Sequence, residues 1–140
     1  MFKRRTYAIA VFLLSISIGG SAADSSSSPP DAVVYIVSPK NGAIVSNPVT
    51  VVFGLKGMGV VPAGIDKAGT GHHHLLVDYE KLPPLDKPLG QNVRHFGKGQ
   101  TQTTLELSPG AHTLQLILGN HLHVPHDPPV ISERITINVE

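Results

Sequence analysis

The chain has 140 residues, with eleven Lys and Arg against ten Asp and Glu, eight His, and no Cys or Trp. A chain without cysteine can form no disulfide, cysteine-linked lipid anchor or thiolate metal site. With 5% aromatic residues and a formal charge of +1 it also lacks the basic stripe and stacking surface that nucleic-acid binding requires. The length fits one domain with one modest core.

Lys3, Arg4 and Arg5 precede an apolar run over residues 8–18 and then Gly19-Gly20-Ser21-Ala22-Ala23, the three parts of a secretory signal peptide. Residues 1–23 are therefore expected to be removed, leaving a periplasmic or secreted protein. The apolar run is too short to span a bilayer comfortably and no second one follows, so no membrane attachment is expected after cleavage. Cleavage removes three of the eleven basic residues and no acidic one, leaving eight against ten and a charge near minus two. Residues 24–31, with Ser25-Ser26-Ser27-Ser28-Pro29-Pro30, offer little to bury and read as a flexible linker. The folded domain is expected over residues 32–140.

From there, short runs alternate with the two-residue period of half-buried strands, separated by Gly, Pro or Asn. The first strand is placed at residues 33–37, before the turn Ser38-Pro39-Lys40-Asn41-Gly42. Val49, Val51, Phe53 and Leu55 share one face of the second. A Gly-rich stretch over 57–71 leads to a third, residues 72–79, with Leu75, Val77 and Tyr79 on one face and His72, His74, Leu76 and Asp78 on the other. A Pro-rich loop precedes a short edge strand at 92–96. The fifth strand runs over 102–107 with Thr103, Leu105 and Leu107 inward, and the sixth over 112–118 with Leu114, Leu116 and Leu118 inward. The seventh, residues 131–139, buries Ile131, Ile135, Ile137 and Val139, with Glu133 an exception on that face. About seven strands and no helical period predict an all-β chain, an immunoglobulin-like antiparallel sandwich, with a small barrel as the competing architecture.

Seven of the eight histidines fall in Gly71-His72-His73-His74, Arg94-His95-Phe96-Gly97 and Asn120-His121-Leu122-His123-Val124-Pro125-His126-Asp127. Imidazole is the commonest protein metal ligand, so this clustering points to a metal or proton-linked site. In immunoglobulin order, His72, His74, His95, His121, His123 and His126 should meet at one pole and His112 at the other. Residues two apart on a strand project to the same side about 6.6 Å apart, so His72 and His74 can converge on one ion. These six are the candidate ligands, for zinc or copper(II), with Asp78 and Asp127 as candidates to orient an imidazole through its second nitrogen. Only Met58 remains after processing as a soft donor, which disfavours copper(I). His73 is read as a hydrogen-bonded core-edge residue rather than a ligand, and His112 as a brace for the Pro109-Gly110 turn. Without an ion, the same rings would form a polar network stiffening long loops.

Three strings resemble a bacterial family, domain of unknown function 4399: Gly71-His72-His73-His74-Leu75-Leu76-Val77-Asp78, His95-Phe96-Gly97-Lys98-Gly99-Gln100-Thr101 and Pro109-Gly110-Ala111-His112-Thr113-Leu114-Gln115-Leu116. A fourth is His123-Val124-Pro125-His126-Asp127-Pro128-Pro129-Val130-Ile131-Ser132. The resemblance covers nearly all of residues 60–139, departing at Val77, Gln102 and Asn120, where isoleucine, glutamate and aspartate are common. It implies an exported β-rich domain and carries over no functional residue. More weakly, Ser38-Pro39-Lys40-Asn41-Gly42-Ala43 is similar to the opening of secreted immunoglobulin-like modules, including periplasmic copper carriers.

Three functions are open at this point: a metal-binding protein, a module presenting the same loops to an envelope protein, peptide or glycan, and a metalloenzyme. Ser108 and Ser132 lack a recognisable nucleophile setting and no carboxylates pair as acid and base.

Overall fold

The computed structural model describes residues 26–140, so the expected signal peptide and the first linker residues lie outside it. The described residues form nine strands and no helix. They are β1 (Val33–Ser38), β2 (Ile44–Val45), β3 (Val49–Lys56), β4 (Gly59–Val60), β5 (Thr70–Val77), β6 (Arg94–His95), β7 (Gln102–Leu105), β8 (Gly110–Gly119) and β9 (Ile135–Val139). β1-β3-β7 make one sheet; β2-β9-β8-β5-β4, with β6 also on β5, make the other. The two strands beyond the expected set, β2 and β4, are two-residue parallel pairings, too short to leave an alternation in the sequence.

The inner faces follow the expected pattern. Val49, Val51 and Phe53 of β3, Leu105 of β7, Leu114, Leu116 and Leu118 of β8 and Ile137 and Val139 of β9 pack with Leu75 in one core. Each such buried aliphatic chain contributes about 1.5–3 kcal/mol through removal of apolar surface from water. A second, smaller cluster lies on the outer face of the larger sheet. There Leu76, Val93 and Ile117 are covered by Tyr79, Leu85, Leu89 and Ile131 from the flanking loops.

Two strand assignments change. Tyr79 joins the outer cluster rather than the face of Leu75 and Val77, because Asp78 takes a left-handed conformation (φ 58) that ends the β5 alternation. The last strand begins at Ile135, not residue 131. Leu114 pairs with Ile135 but Ile117 with Ile131, so one extra residue sits between the two pairings, as in a β-bulge. The bulge turns Ile131 outward, buries Ser132 and leaves Glu133 exposed, which accounts for the charged residue in an apolar pattern.

The serine run is docked where it is described. The Ser28 amide donates to Asp127 O (3.2 Å), the Asp127 amide to Ser26 O (3.0 Å), and the Ser28 hydroxyl to Pro128 O (2.6 Å). Backbone groups of the histidine loop supply the partners that the polar serine sequence does not advertise.

Candidate metal centre

Strand alternation sends Leu75 and Val77 into the core and His72, His74 and Leu76 to the outer face of the larger sheet. His73 faces inward, its ring 5.1 Å from that of Phe53. The site is therefore built on a sheet face at the start of β5, where His72 pairs with Gly119 at the end of β8.

β6 brings His95. Its partner across the ladder is His74, and the Phe96 amide donates to His73 O (3.1 Å), so His74 and His95 form the pair without mutual backbone hydrogen bonds, where side chains approach most closely. Sideways pairing with β5, not immunoglobulin loop order, delivers this ring.

His123 arrives from the β8–β9 connection. Asn120 O accepts from the His123 amide (2.9 Å), the Asn120 amide donates to Val124 O (2.9 Å), and the buried Asn120 Oδ1 accepts from the Leu122 (2.9 Å) and Val124 (3.0 Å) amides. The three-residue loop so formed ends in a left-handed residue, and that residue is His123, φ 65. A non-glycine side chain there stores backbone strain, a feature that concentrates at functional sites. Its carbonyl accepts from the Leu89 amide (2.9 Å), which ties the loop to the Pro-rich segment.

The result is a cluster in which one nitrogen from each of His72, His74, His95 and His123 lies within 4.8 Å of the others. His72 Nε2 sits 3.1 Å from His123 Nδ1 and 3.2 Å from His95 Nε2. Two nitrogens bound tetrahedrally to one ion at about 2.05 Å are separated by about 3.3 Å, so these contacts match the edge of a coordination polyhedron. His72 and His74 are buried, His123 half-buried and His95 exposed. The exposed side opens into a cavity of about 330 Å³ bordered by Leu89, Gly90, Gln91 and Val93.

Burial favours the neutral form of His72, His74 and His123. Burial lowers His72 to about 4, with the nearby His123, His95, His73 and His126 adding to it. Burial lowers His74 to about 3, followed by His72, His95 and His123. His123 is also lowered, by burial and then by His95. A neutral ring keeps the lone pair that coordination needs. Neither His74 ring nitrogen has a hydrogen-bond partner among the described residues, although the His72 backbone lies close enough to offset a little of the shift; His72 Nδ1 is likewise unpartnered. Each such buried polar atom costs about 1–3 kcal/mol, and coordination of His74 would relieve part of that cost.

Two glycines make room for the rings. A Cβ on Gly119 would lie 2.6 Å from His74 Cε1, and one on Gly97 would overlap the His95 ring. Neither was singled out from the sequence as part of the site, nor were Asn120 and Leu89. The available signal for Gly119 was a glycine at the end of an apolar strand next to clustered histidines, where close approach is common.

The other candidates lie elsewhere. His126 is buried against Gly71 on the inner side of β5, its Nδ1 3.3 Å from Ser26 O. His121 points to Asp66, Nδ1 to Oδ1 3.5 Å. Asp127 is held through its backbone by Ser26 and Ser28. Asp78 orients no ring of the cluster; its Oδ2 is 2.7 Å from His112 Nδ1 and its Oδ1 accepts from the Thr113 amide (2.8 Å). His112 Nε2 is 2.8 Å from Ser108 O and 3.4 Å from Ser108 Oγ. This superficially resembles a nucleophile triad. However, the His112 ring nitrogens face a carboxylate at 2.7 Å and a carbonyl at 2.8 Å, with Ser108 Oγ farther away at 3.4 Å, and the Asp78 bond raises the His112 pKa, so the ring is poorly placed to act as a base toward the serine. His112 braces the turn, as the sequence suggested.

His73 is buried with both ring nitrogens outside hydrogen-bond geometry, and burial lowers it to about 4, countered in part by the Gln100 backbone. It packs as a core residue rather than as a hydrogen-bonded edge histidine.

No curated protein and no solved structure significantly matches the chain. The family model described as Domain of unknown function (DUF4399) matches residues 51–140, a span that contains all four converging histidines and the glycines beneath them, and the chain belongs to that family.

Proposed function

We propose that this is an exported, immunoglobulin-like domain that binds a transition metal ion, zinc or copper(II), through His72, His74, His95 and His123. The observation that carries the reading is the convergence of four imidazole nitrogens within 4.8 Å from two strands and a loop that are distant in sequence. Within the cluster His72 pairs with His95 and His123, while His74, on the same outer face, has both ring nitrogens unpartnered among the described residues. The signal-like residues 1–23 support export. The sheet order β1-β3-β7 against β2-β9-β8-β5 supports the immunoglobulin-like reading, since it sets the first, second and fifth of the seven strands expected from the sequence against the third, sixth and seventh.

Calorimetric titration of chelator-stripped protein with zinc(II) and copper(II) tests it. One saturable site per chain is expected, weakened by an order of magnitude or more in His95→Ala, chosen because that residue is exposed. Gly119→Ala should weaken it too, by displacing His74. Absence of saturable binding, or affinity unchanged in both variants, rejects the proposal. Leu122, 45% exposed at the tip of the same loop, favours a second reading as a module for an envelope protein, peptide or glycan. Capture of a partner that persists in chelator and in His95→Ala would select it.

A further inference from the structure

We infer that the centre is a closed, tetrahedral four-imidazole site whose shape suits zinc(II), with every coordination position filled by the protein. This rests on the metal-binding reading above and adds the ion and the coordination class.

The six ring-to-ring distances are 4.6 Å for His72–His74, 5.0 Å for His72–His95, 5.0 Å for His72–His123, 5.2 Å for His74–His95, 5.8 Å for His74–His123 and 4.4 Å for His95–His123. Four imidazoles bound tetrahedrally at about 2.05 Å place all ring centres roughly 5.2 Å apart. A square plane instead gives four separations of about 4.5 Å and two, between rings on opposite corners, of about 6.4 Å. The longest separation, His74–His123, would make His72–His95 the other opposite pair, and that pair is only 5.0 Å apart. The ring centres thus outline a slightly flattened tetrahedron, and the nitrogens, which lie within 4.8 Å of one another, would close to about 3.3 Å around an ion.

The backbone resists further flattening. His72 and His74 are fixed on one strand paired with β8, and His95 is held opposite His74 on β6. His123 is set by the Asn120 loop. Zinc(II) has no electronic preference to violate in such a frame, whereas copper(II) favours tetragonal geometry and forfeits part of its usual affinity advantage. Four protein donors also leave no position for a water, so the ion is carried or stabilises the fold, and water activation does not occur in the native site.

Cobalt(II) reports both properties. Protein expressed from the full 140-residue sequence and stripped with chelator is titrated with cobalt(II), followed by visible absorption with and without azide, then by zinc(II) displacement. The expected result is one equivalent with the intense bands of a tetrahedral ion, indifferent to azide and abolished by one equivalent of zinc(II). His95→Ala should keep intense bands but become azide-responsive, because a water replaces the exposed ring. Weak bands typical of six-coordinate cobalt(II), or an azide response in the unsubstituted protein, overturn the closed tetrahedral site while leaving metal binding intact. Uptake of neither cobalt(II) nor zinc(II) overturns both.

Discussion

Acidification should destabilise the protein in chelator, through the buried histidines of a single strand. His72 and His73 are lowered to about 4 and His74 to about 3, chiefly by burial, whereas the unfolded chain titrates near 6.5. The three residues are 0%, 1% and 2% exposed, so solvent does little to soften the effect. These are bases with depressed folded values, so their contribution is complete above pH 6.5. It is lost as pH falls toward 4, where the unfolded state binds protons that the folded state refuses. From pH 7 to pH 5 each costs about 2 kcal/mol, about 6 kcal/mol together, against a total stability of roughly 5–15 kcal/mol for a domain. His123 and His126, also lowered by burial, act in the same direction.

The assay is urea unfolding in chelator at several pH values, followed by far-ultraviolet circular dichroism because the chain has no tryptophan. His73→Leu, which keeps the bulk beside Phe53, should remove about one third of the pH dependence. A stability that changes by less than about 1 kcal/mol between pH 7 and 5, or an unaltered slope in His73→Leu, would refute the argument.

Two further outcomes follow from backbone and charge. In chelator, His123→Gly should be about 1 kcal/mol more stable than His123→Ala, because glycine occupies φ 65 without the strain that alanine meets there; equal urea midpoints would dismiss the strain. Asp78→Asn, which suits the left-handed backbone, should lower the His112 pKa read by NMR titration. A raised histidine stabilises fully below pH 6.5 and loses that contribution as pH rises through its folded value, so this variant should lose more stability at pH 6 than at pH 9.

The alternating residues of β3, β7 and β8 announced their inner faces directly, since an exact period of two needs no knowledge of the partner strand. The same periodicity separated His73 from His72 and His74. It failed where the backbone left the extended region: Asp78 at φ 58 sent Tyr79 to the other side, and the bulge before Ile135 did the same to Ile131. Neither departure has a sequence signal as strong as Asn41-Gly42 in a turn.

For the centre, sequence alone supplied the donors: imidazole-rich, cysteine-free, with two alternating pairs. Which donors meet was decided by tertiary structure. His95 joins because β6 pairs with β5, and His123 joins because the Asn120 loop aims it outward, while His121, two residues earlier, turns to Asp66. His126 is stranded on the inner side of β5 by the same alternation that placed His72 and His74 on the outer side. Residue type fixes what a side chain can coordinate, but convergence depends on pairings between segments tens of residues apart, and those exist only once the sheets have closed.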